Sequence, residues 1–253
     1  MIPLRDANPT RRRPIVTIGL IAICVIAFAY ELGAQATGGD DALERLFADW
    51  ALIPAHLTAA LGGTGATPQW VAGGDPARQL FTIVTSMFLH GGWIHLIGNM
   101  LYLWIFGNNV EDRFGRLGYL GFYLLGGIVA AGAQVFIDPR SEVPVIGASG
   151  AIAAVLGAYL VLYPGARVLS LVFLGFFYQL LQVPAVIVLG LWFVLQLIDG
   201  LTSLGVPNAS TGVALFEHIG GFAAGALVAL VLRGAGRRGL ARPPEPPSGS
   251  RVG

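Results

Sequence analysis

Six apolar runs, each 16 to 21 residues long, dominate this sequence of 253 residues. A helix needs about 20 consecutive, mainly apolar residues to cross a bilayer. Only 11% of the residues are charged, whereas a soluble domain usually carries about 25%. The pattern therefore predicts an all-α membrane protein with six transmembrane helices. The predicted spans are approximately 15–32, 92–107, 117–137, 147–163, 184–199 and 212–232.

The distribution of arginine predicts the orientation of these spans. All 15 basic residues are arginines, and the chain has no lysine. With six spans and the N-terminus inside, only three arginines lie in outer segments, namely Arg45, Arg78 and Arg140. Because basic residues favour the cytoplasmic side, we expect a cytoplasmic basic N-terminus at 1–14 and a disordered, Pro- and Arg-rich cytoplasmic tail at 234–253. An odd number of spans would place the arginine-rich tail outside.

Three connections between the spans have distinctive compositions. Residues 35–80 mix acidic and apolar side chains, which predicts a long first outer loop with short interfacial helices. Residues 107–113 form a polar turn, where we expect Glu111 to lie in a solvated loop. Residues 168–183 are apolar but contain two glutamines, so we interpret them as an interfacial or partly inserted connection. In the alternative interpretation they form a helical hairpin with the following run, which gives seven spans.

A short motif, Gly-Ala-Ser-Gly at residues 147–150, opens the fourth run. It would place Ser149 at a helix N-terminus, where free N–H groups and the helix dipole favour negative charge. A serine hydroxyl needs a base to become a nucleophile, and His218 lies in the sixth run. His95 and Asn99 are four residues apart, on one face of the second helix. We interpret the three runs as meeting within the bilayer to form a nucleophilic site.

Small residues indicate how two of these helices could approach each other. Ser149 and Gly157 share one face of the fourth helix, and His218, Gly221 and Gly225 mark one face of the sixth. Small residues at four-residue spacing allow two helix backbones to pack closely in a membrane. Such packing would bring the serine hydroxyl within hydrogen-bonding distance of the imidazole.

These motifs together resemble the rhomboid family of intramembrane serine proteases, in its bacterial six-span form. The similarity extends over nearly all of residues 80–230, and it includes the stretch from His218 to Gly225. It implies that Ser149 is the nucleophile and His218 the general base, in a dyad without a third carboxylate. It also implies an oxyanion hole formed by His95, Asn99 and the backbone N–H of Ser149, with Gly147 shaping the approach to it.

The resemblance also implies a substrate and a location. Members of this family hydrolyse peptide bonds in or near the transmembrane segments of single-span or other membrane proteins, where small or helix-breaking residues let the segment unwind. Substrates are thought to enter near the fifth span and the loop before the sixth. We expect a multi-pass protein of the bacterial inner (plasma) membrane, with the lipid bilayer as its surroundings and no nucleic-acid partner. We expect no cofactor and no metal, and the sequence indicates no particular oligomeric state.

The sequence departs from the family pattern at three places, and each departure changes what we expect of the site or its surroundings. Phe81 and Thr82 stand where many members have Trp-Arg, so the first outer loop would lose a stabilising arginine. Ala153 stands where better-known members have a tyrosine stacked on the base, so His218 must be held in another way. Glu217 precedes His218 but points about 100° away on a helix, so it is not expected to complete a triad; it would reach the outer interface or affect a neighbouring pKa.

Other interpretations of these residues stay open at this point. A non-enzymatic relative would use the same fold to bind membrane helices, and it would typically lack the serine or the base. A transporter could line a cavity with the same polar side chains, although the sequence has no repeated halves with matching broken helices. His95 and Asn99 could form a structural polar pair. His90 is expected to be a structural hydrogen-bonding residue, and His56 an interfacial one.

Overall fold

Eight α-helices and a small β-sheet make up the described part of the computed structural model, which covers residues 1–62, 75–174, 177–204 and 215–239. A 3₁₀ turn at Ser86–Phe88 lies between the third and fourth helices. The helices are α1 (Ile15–Trp50), α2 (Pro54–Ala60), α3 (Pro76–Thr85), α4 (Trp93–Phe114), α5 (Arg116–Ile137), α6 (Ser149–Leu162), α7 (Ala185–Leu204) and α8 (Leu215–Gly239).

The short helix α6 lies at the centre of the bundle. It packs against α4, α5 and α8, and every residue from Ser149 to Tyr159 is buried. A helix that is apolar around its whole circumference is expected in such a buried position. Because its N-terminus bears Ser149, the central helix places the candidate nucleophile inside the protein rather than at the lipid surface.

Helix α1 is longer than the first predicted span. It continues from Ile15 to Trp50, with a single non-helical residue at Gly39, where φ is 67°. Glycine adopts this left-handed conformation without the steric cost that other residues meet. Leu46 is buried after the break in a cluster with Ala51 and Leu89, so the first part of the predicted loop, up to Trp50, is helical. Helices α2 and α3 begin in the same region, and residues 63–74 lie outside the described part.

The expectation of a solvated loop at Glu111 is wrong. Helix α4 continues to Phe114, and Glu111 is buried. Its carboxylate accepts hydrogen bonds from the backbone N–H groups of Val16 and Thr17, at 3.0 and 2.8 Å, and from the Thr17 hydroxyl at 2.8 Å. The first N–H groups of a helix have no partner within that helix. Glu111 therefore satisfies the start of α1 from a different helix.

Residues 167–174 and 177–184 form two paired β-strands, so the helical-hairpin alternative is wrong. Strand β2 (Arg167–Leu174) pairs antiparallel with β3 (Phe177–Pro184). A third strand, β1 (Ile2–Asp6), pairs with β2, and the sheet order is β1-β2-β3. The segment is rich in the β-branched and aromatic residues that favour strands. This sheet is an addition to the helical bundle that the sequence did not predict.

Length and hydropathy identify α1, α5 and residues Leu215–Arg233 as helices that could each cross a membrane, within the described ranges. Helices α3 and α4, with the 3₁₀ turn between them, form a bent pair with an angle of 82° that would make a fourth. Ser149–Leu162 and Ala185–Gln196 are apolar but shorter. The predicted multi-pass helical membrane fold is confirmed, and the number of six spans stays a prediction.

The C-terminal region differs from its predicted boundaries. Helix α8 continues to Gly239, so the first six residues of the predicted disordered tail are helical. Residues 240–253, the remainder of that tail, lie outside the described part. Residues 205–214 also lie outside it; they comprise most of the loop before the sixth predicted span and the first three residues of that span.

Candidate active site

Gly147 has a backbone conformation that depends on glycine. Its φ is 126°, and its N–H donates a 2.9 Å hydrogen bond to the carbonyl of Ser86. A Cβ atom built on Gly147 would lie 2.7 Å from Nε2 of His95 and 3.5 Å from Oγ of Ser149. The glycine therefore permits both side chains to face the same point at the N-terminus of α6.

Three glycines bring α8 into backbone contact with α6. A Cβ atom on any of them would collide with a backbone carbonyl oxygen of the facing helix, which means that the two backbones touch. These glycines and the carbonyls that they face are Gly221 against Gly150, Gly225 against Ala154, and Gly157 against Phe222. The packing residues selected by spacing thus lie at the α6–α8 interface.

Ser149 and His218 are hydrogen-bonded to each other. Oγ of Ser149 lies 2.7 Å from Nε2 of His218, and the two residues are 5% and 2% exposed. Nδ1 of His218 is buried and has no hydrogen-bond partner among the described residues. A hydroxyl bonded to a neutral imidazole is the arrangement that activates serine for nucleophilic attack.

Glu217 is buried beside the start of α6, so its carboxyl is not exposed at the surface of the bundle. It is 4% exposed, and its side chain occupies the space where a Cβ atom on Gly150 would lie. Because Nδ1 of His218 has no partner among the described residues, Glu217 does not complete a Ser-His-Glu triad. The same described ranges contain no group of three His, Cys, Asp or Glu side chains arranged to hold a metal ion.

His95 and Asn99 lie four residues apart on α4, and the imidazole of His95 lies beside Gly147. His95 is half-buried, and Asn99 is 8% exposed. Nδ2 of Asn99 is buried and has no hydrogen-bond partner among the described residues. A buried amide with a purely structural role is expected to donate its hydrogen bonds to other groups of the protein. The unpaired nitrogen of Asn99 therefore favours a role in binding a substrate or an intermediate.

His90 supports the segment that leads into α4. Its N–H donates to the carboxylate of Glu31 on α1, at 3.0 and 3.3 Å, and its Nδ1 is hydrogen-bonded to the carbonyl of Phe88 at 3.1 Å. Its ring meets that of His95 edge-on, with 5.2 Å between the centroids. These contacts agree with the structural role predicted for His90 and connect α1 to the position of His95.

Trp192 is a site residue that the sequence analysis did not identify. Its ring lies against the imidazole of His218, with 5.5 Å between the centroids. Ala153, one turn after Ser149, is fully buried, but alanine has no aromatic ring that could stack on the imidazole of His218. No motif marks Trp192, because it comes from α7, whereas the dyad residues come from α6 and α8.

Hydrogen bonds hold the segment between α1 and α4, which has no arginine at positions 81 and 82. Thr82 is buried and its hydroxyl donates to the carbonyl of Gln79 at 2.7 Å. The hydroxyl of Thr85 donates to the carbonyl of Trp50 at 2.6 Å. Two backbone hydrogen bonds, between Val145 and Leu52 and between Ala55 and Ser141, tie α2 and its flank to the segment before Ser149.

Comparisons with known proteins agree with this geometry. The family model described as the Rhomboid domain matches residues 77–235. RHOMBOID-like protein 4 of Arabidopsis thaliana is 35% identical over 185 residues, covering 72% of this chain and 40% of the relative. Rhomboid protease GluP of Bacillus subtilis (strain 168) is 32% identical over 203 residues, which is 78% of this chain and 37% of the relative.

Shorter matches agree with these two. RHOMBOID-like protein 5 of Arabidopsis thaliana is 32% identical over 82 residues, which is 32% of this chain and 26% of the relative. The chain thus spans between about a quarter and a half of the length of these curated relatives. The Rhomboid domain match covers more than half of the chain and includes every residue of the candidate site. The chain belongs to the rhomboid family.

Proposed function

We propose that this protein is an intramembrane serine endopeptidase in which Ser149 is the nucleophile and His218 the general base. The observation that carries the proposal is the 2.7 Å hydrogen bond between Ser149 and His218, inside a buried, membrane-embedded bundle. Membership of the rhomboid family supports it, as does the similarity to a bacterial relative whose name describes it as a protease.

In the first step, the hydroxyl of Ser149 donates its proton to Nε2 of His218 while Oγ attacks the carbonyl carbon of the scissile peptide bond. The imidazole must start in the tautomer that carries its proton on Nδ1. The resulting imidazolium then donates its proton to the leaving amine, and an acyl-enzyme remains on Ser149. Water attacks that ester while His218 accepts its proton; the bond between the acyl carbon and Oγ then breaks, and His218 returns the proton to Ser149, which restores the dyad and releases the second product as a carboxylic acid.

The tetrahedral intermediate places negative charge on the former carbonyl oxygen. His95, Asn99 and the backbone N–H of Ser149 would donate hydrogen bonds to it, in the space that Gly147 leaves open. The N-terminus of α6 adds the positive end of its dipole. Each well-placed donor of this kind lowers the barrier by about 2.7–4 kcal/mol in other serine hydrolases.

The proposed substrates are single-span or other membrane proteins, cut in or near a transmembrane segment. The proposed topology has six spans with both termini in the cytoplasm of a bacterial cell, and the site then opens toward the outer side of the inner membrane. The excess of arginine in the predicted inner segments supports this orientation. Residues 15–233 would form the protease domain.

Labelling with a fluorophosphonate probe tests the nucleophile and the base. Wild-type protein in detergent should be labelled, whereas Ser149→Ala should lose labelling and His218→Ala should lower its rate by about 10²–10⁴. Ser170→Ala is a matched control, because Ser170 is a buried serine of β2 whose hydroxyl bonds to the carbonyl of Val168. Labelling that persists in Ser149→Ala would overturn the assignment of the nucleophile.

A further inference from the structure

The imidazole of His218 has little polar support in this structure. Among the described residues, its Nε2 is hydrogen-bonded to Ser149, and its buried Nδ1 has no partner. In a serine triad, a carboxylate bonded to Nδ1 holds the imidazole in the correct orientation. With a single hydrogen bond, the orientation of this buried ring depends on the non-polar contacts around it.

Trp192 supplies a ring contact at this position. Its indole and the imidazole of His218 have centroids 5.5 Å apart and planes inclined by 53°. Trp192 is half-buried. Its ring also packs against that of Tyr102 of α4, with 5.9 Å between the centroids and 44° between the ring planes. The indole is therefore held between α4 and α8, and it limits the directions in which the imidazole can turn.

The neighbouring residue on α7 touches α8 at a different place. Phe193 packs against Phe222, with 5.9 Å between the centroids, one turn beyond His218. The two aromatic residues of α7 thus contact different residues of α8. Trp192 meets the proposed base, and Phe193 meets a residue with no polar group.

We propose that Trp192 is the positioning residue of the general base: its indole holds the imidazole of His218 with Nε2 directed at Oγ of Ser149. This inference rests on the proposed function. An aromatic ring attracts a cation within about 6 Å of its centroid, so the indole, at 5.5 Å, also favours the imidazolium that forms when Ser149 loses its proton.

This arrangement makes the alignment of the dyad depend on a third helix. Ser149 belongs to α6 and His218 to α8, and these two helices are fixed to each other by backbone contact at Gly221 and Gly225. Trp192 belongs to α7, on which the side chains of Val186, Ile187, Leu191, Val194, Leu195 and Ile198 are exposed. The base is therefore positioned in part by a helix that lies outside the α6–α8 backbone contact.

The test compares aromatic and aliphatic replacements of Trp192 in the full-length protein. We would measure the fluorophosphonate labelling rate, and kcat and KM on a model peptide with a single apolar span, all normalised to folded protein from size-exclusion chromatography. Trp192→Leu and Trp192→Met should lower both kcat and the labelling rate roughly tenfold, a fraction of the ~10²–10⁴ that general base catalysis provides. KM should change by less than about twofold. Trp192→Phe, which keeps a ring, should restore most of the rate.

Phe193→Leu is the matched control, because it removes an aromatic contact with α8 without touching His218, and its kcat should equal that of wild type. The positioning role is overturned if the Leu and Met variants keep the wild-type kcat, if they change only KM, or if Phe193→Leu loses as much kcat as they do. Should Trp192→Leu fail to fold, the comparison of Trp192→Phe with Trp192→Met decides the question. If wild-type labelling does not depend on Ser149, the dyad itself is wrong and the role of Trp192 fails with it; if labelling does depend on Ser149, the variants of Trp192 test the positioning role alone.

Discussion

The side-chain amide nitrogen of Asn99 is a hydrogen-bond donor without an acceptor in the described structure. It is buried without a hydrogen-bond partner among the described residues, and such an unpaired group costs about 1–3 kcal/mol. An oxyanion formed beside Gly147 would accept from it, together with His95 and the backbone N–H of Ser149. On this account, the unsatisfied donor in the free protein becomes an interaction made only in the transition state, which raises kcat rather than binding.

Removing either side chain of the proposed oxyanion hole should therefore lower kcat. For Asn99→Ala or His95→Ala we expect a loss of about 10²–10³ in kcat with little change in KM, measured on a single-span substrate in detergent. Asn108→Ala, on the same helix but more than two turns from the site, should keep the wild-type rate. A rise in KM without a fall in kcat would show that these groups bind substrate instead of the oxyanion.

Sequence spacing could indicate the site residues that share a helix, but not the contacts between helices. His95 and Asn99 are four residues apart, so any helix places them on one face. The prediction that Ser149 meets His218 depended on small residues and on the family resemblance, and the two groups are in contact. Trp192 could not be found in this way, because its contact with His218 depends on how α7 packs against α8.

At the scale of helices, the α6–α8 interface depends on the absence of side chains. A Cβ atom on Gly225 would collide with the carbonyl oxygen of Ala154, and that backbone cannot move without displacing the buried centre of α6. The spacing of the glycines predicted a face on which the two helices could pack closely. The spacing could not predict how closely the two backbones approach, because that distance depends on the residues of both helices.

Gly225→Ala should separate the two helices and destabilise the protein by about 1–3 kcal/mol, the usual cost of overpacking. Thermal unfolding in detergent should show a lower Tm, and activity should fall as Ser149 and His218 move apart. Gly132→Ala is the control, because a Cβ atom there meets nothing within 4 Å and alanine favours a helix. An unchanged Tm in Gly225→Ala would contradict the close packing.

Glu111 shows how a tertiary contact can override the local pattern. The polar run at 107–113 predicts a turn, yet α4 continues through it because the Glu111 carboxylate binds the N-terminus of α1. Pro14 precedes that helix and makes no side-chain cap, so the capping group comes from a residue 94 or 95 positions away. Sequence spacing carries no information about such a distant pair.

Glu111→Ala should expose this dependence. It leaves the N–H groups of Val16 and Thr17 and the Thr17 hydroxyl without their acceptor, which should cost about 1–3 kcal/mol. The midpoint of thermal or denaturant unfolding measures the loss. Glu44→Ala removes an exposed carboxylate of α1 and should leave the midpoint unchanged. Equal stability of the two variants would mean that water caps the helix equally well.

At the scale of the whole molecule, the β-sheet ties the N-terminus to the bundle. The buried carboxylate of Asp6, at the end of β1, accepts hydrogen bonds from Asn109 of α4 at 2.6 Å and from the Tyr159 hydroxyl of α6 at 3.0 Å. The predicted basic N-terminus therefore contains a structural element. A five-residue strand gives too weak a pattern to be recognised when its partner lies more than 160 positions away.

Asp6 should make the stability depend on pH. Burial raises the pKa of Asp6 above its ordinary value of 3.8, although hydrogen bonds from Tyr159 and Asn8 oppose the shift. Because the folded state binds this proton more tightly than the unfolded state, its contribution is most favourable below pH 3.8 and is lost as the pH rises through the raised pKa. Unfolding midpoints measured across this range should fall with pH more steeply in wild type than in Asp6→Asn. Parallel curves would contradict the buried, ionising carboxyl.

The six-span topology can be tested with single cysteines. Cys24 is the only cysteine and is buried, so Cys24→Ser gives a background without an exposed thiol. In that background, Arg140→Cys should react with a membrane-impermeant maleimide in intact cells. Arg113→Cys, just before the end of α4, should react only after permeabilisation. The reverse result would invert the orientation inferred from the arginines.

Cleavage of a single-span substrate in reconstituted liposomes tests the central claim most directly, that a hydroxyl and an imidazole from α6 and α8 hydrolyse peptide bonds within the membrane. The account predicts that wild-type protein releases a fragment cut in or near the transmembrane segment, and that Ser149→Ala releases none. His218→Ala should cut more slowly by about 10²–10⁴. Undiminished cleavage by either variant would contradict the account.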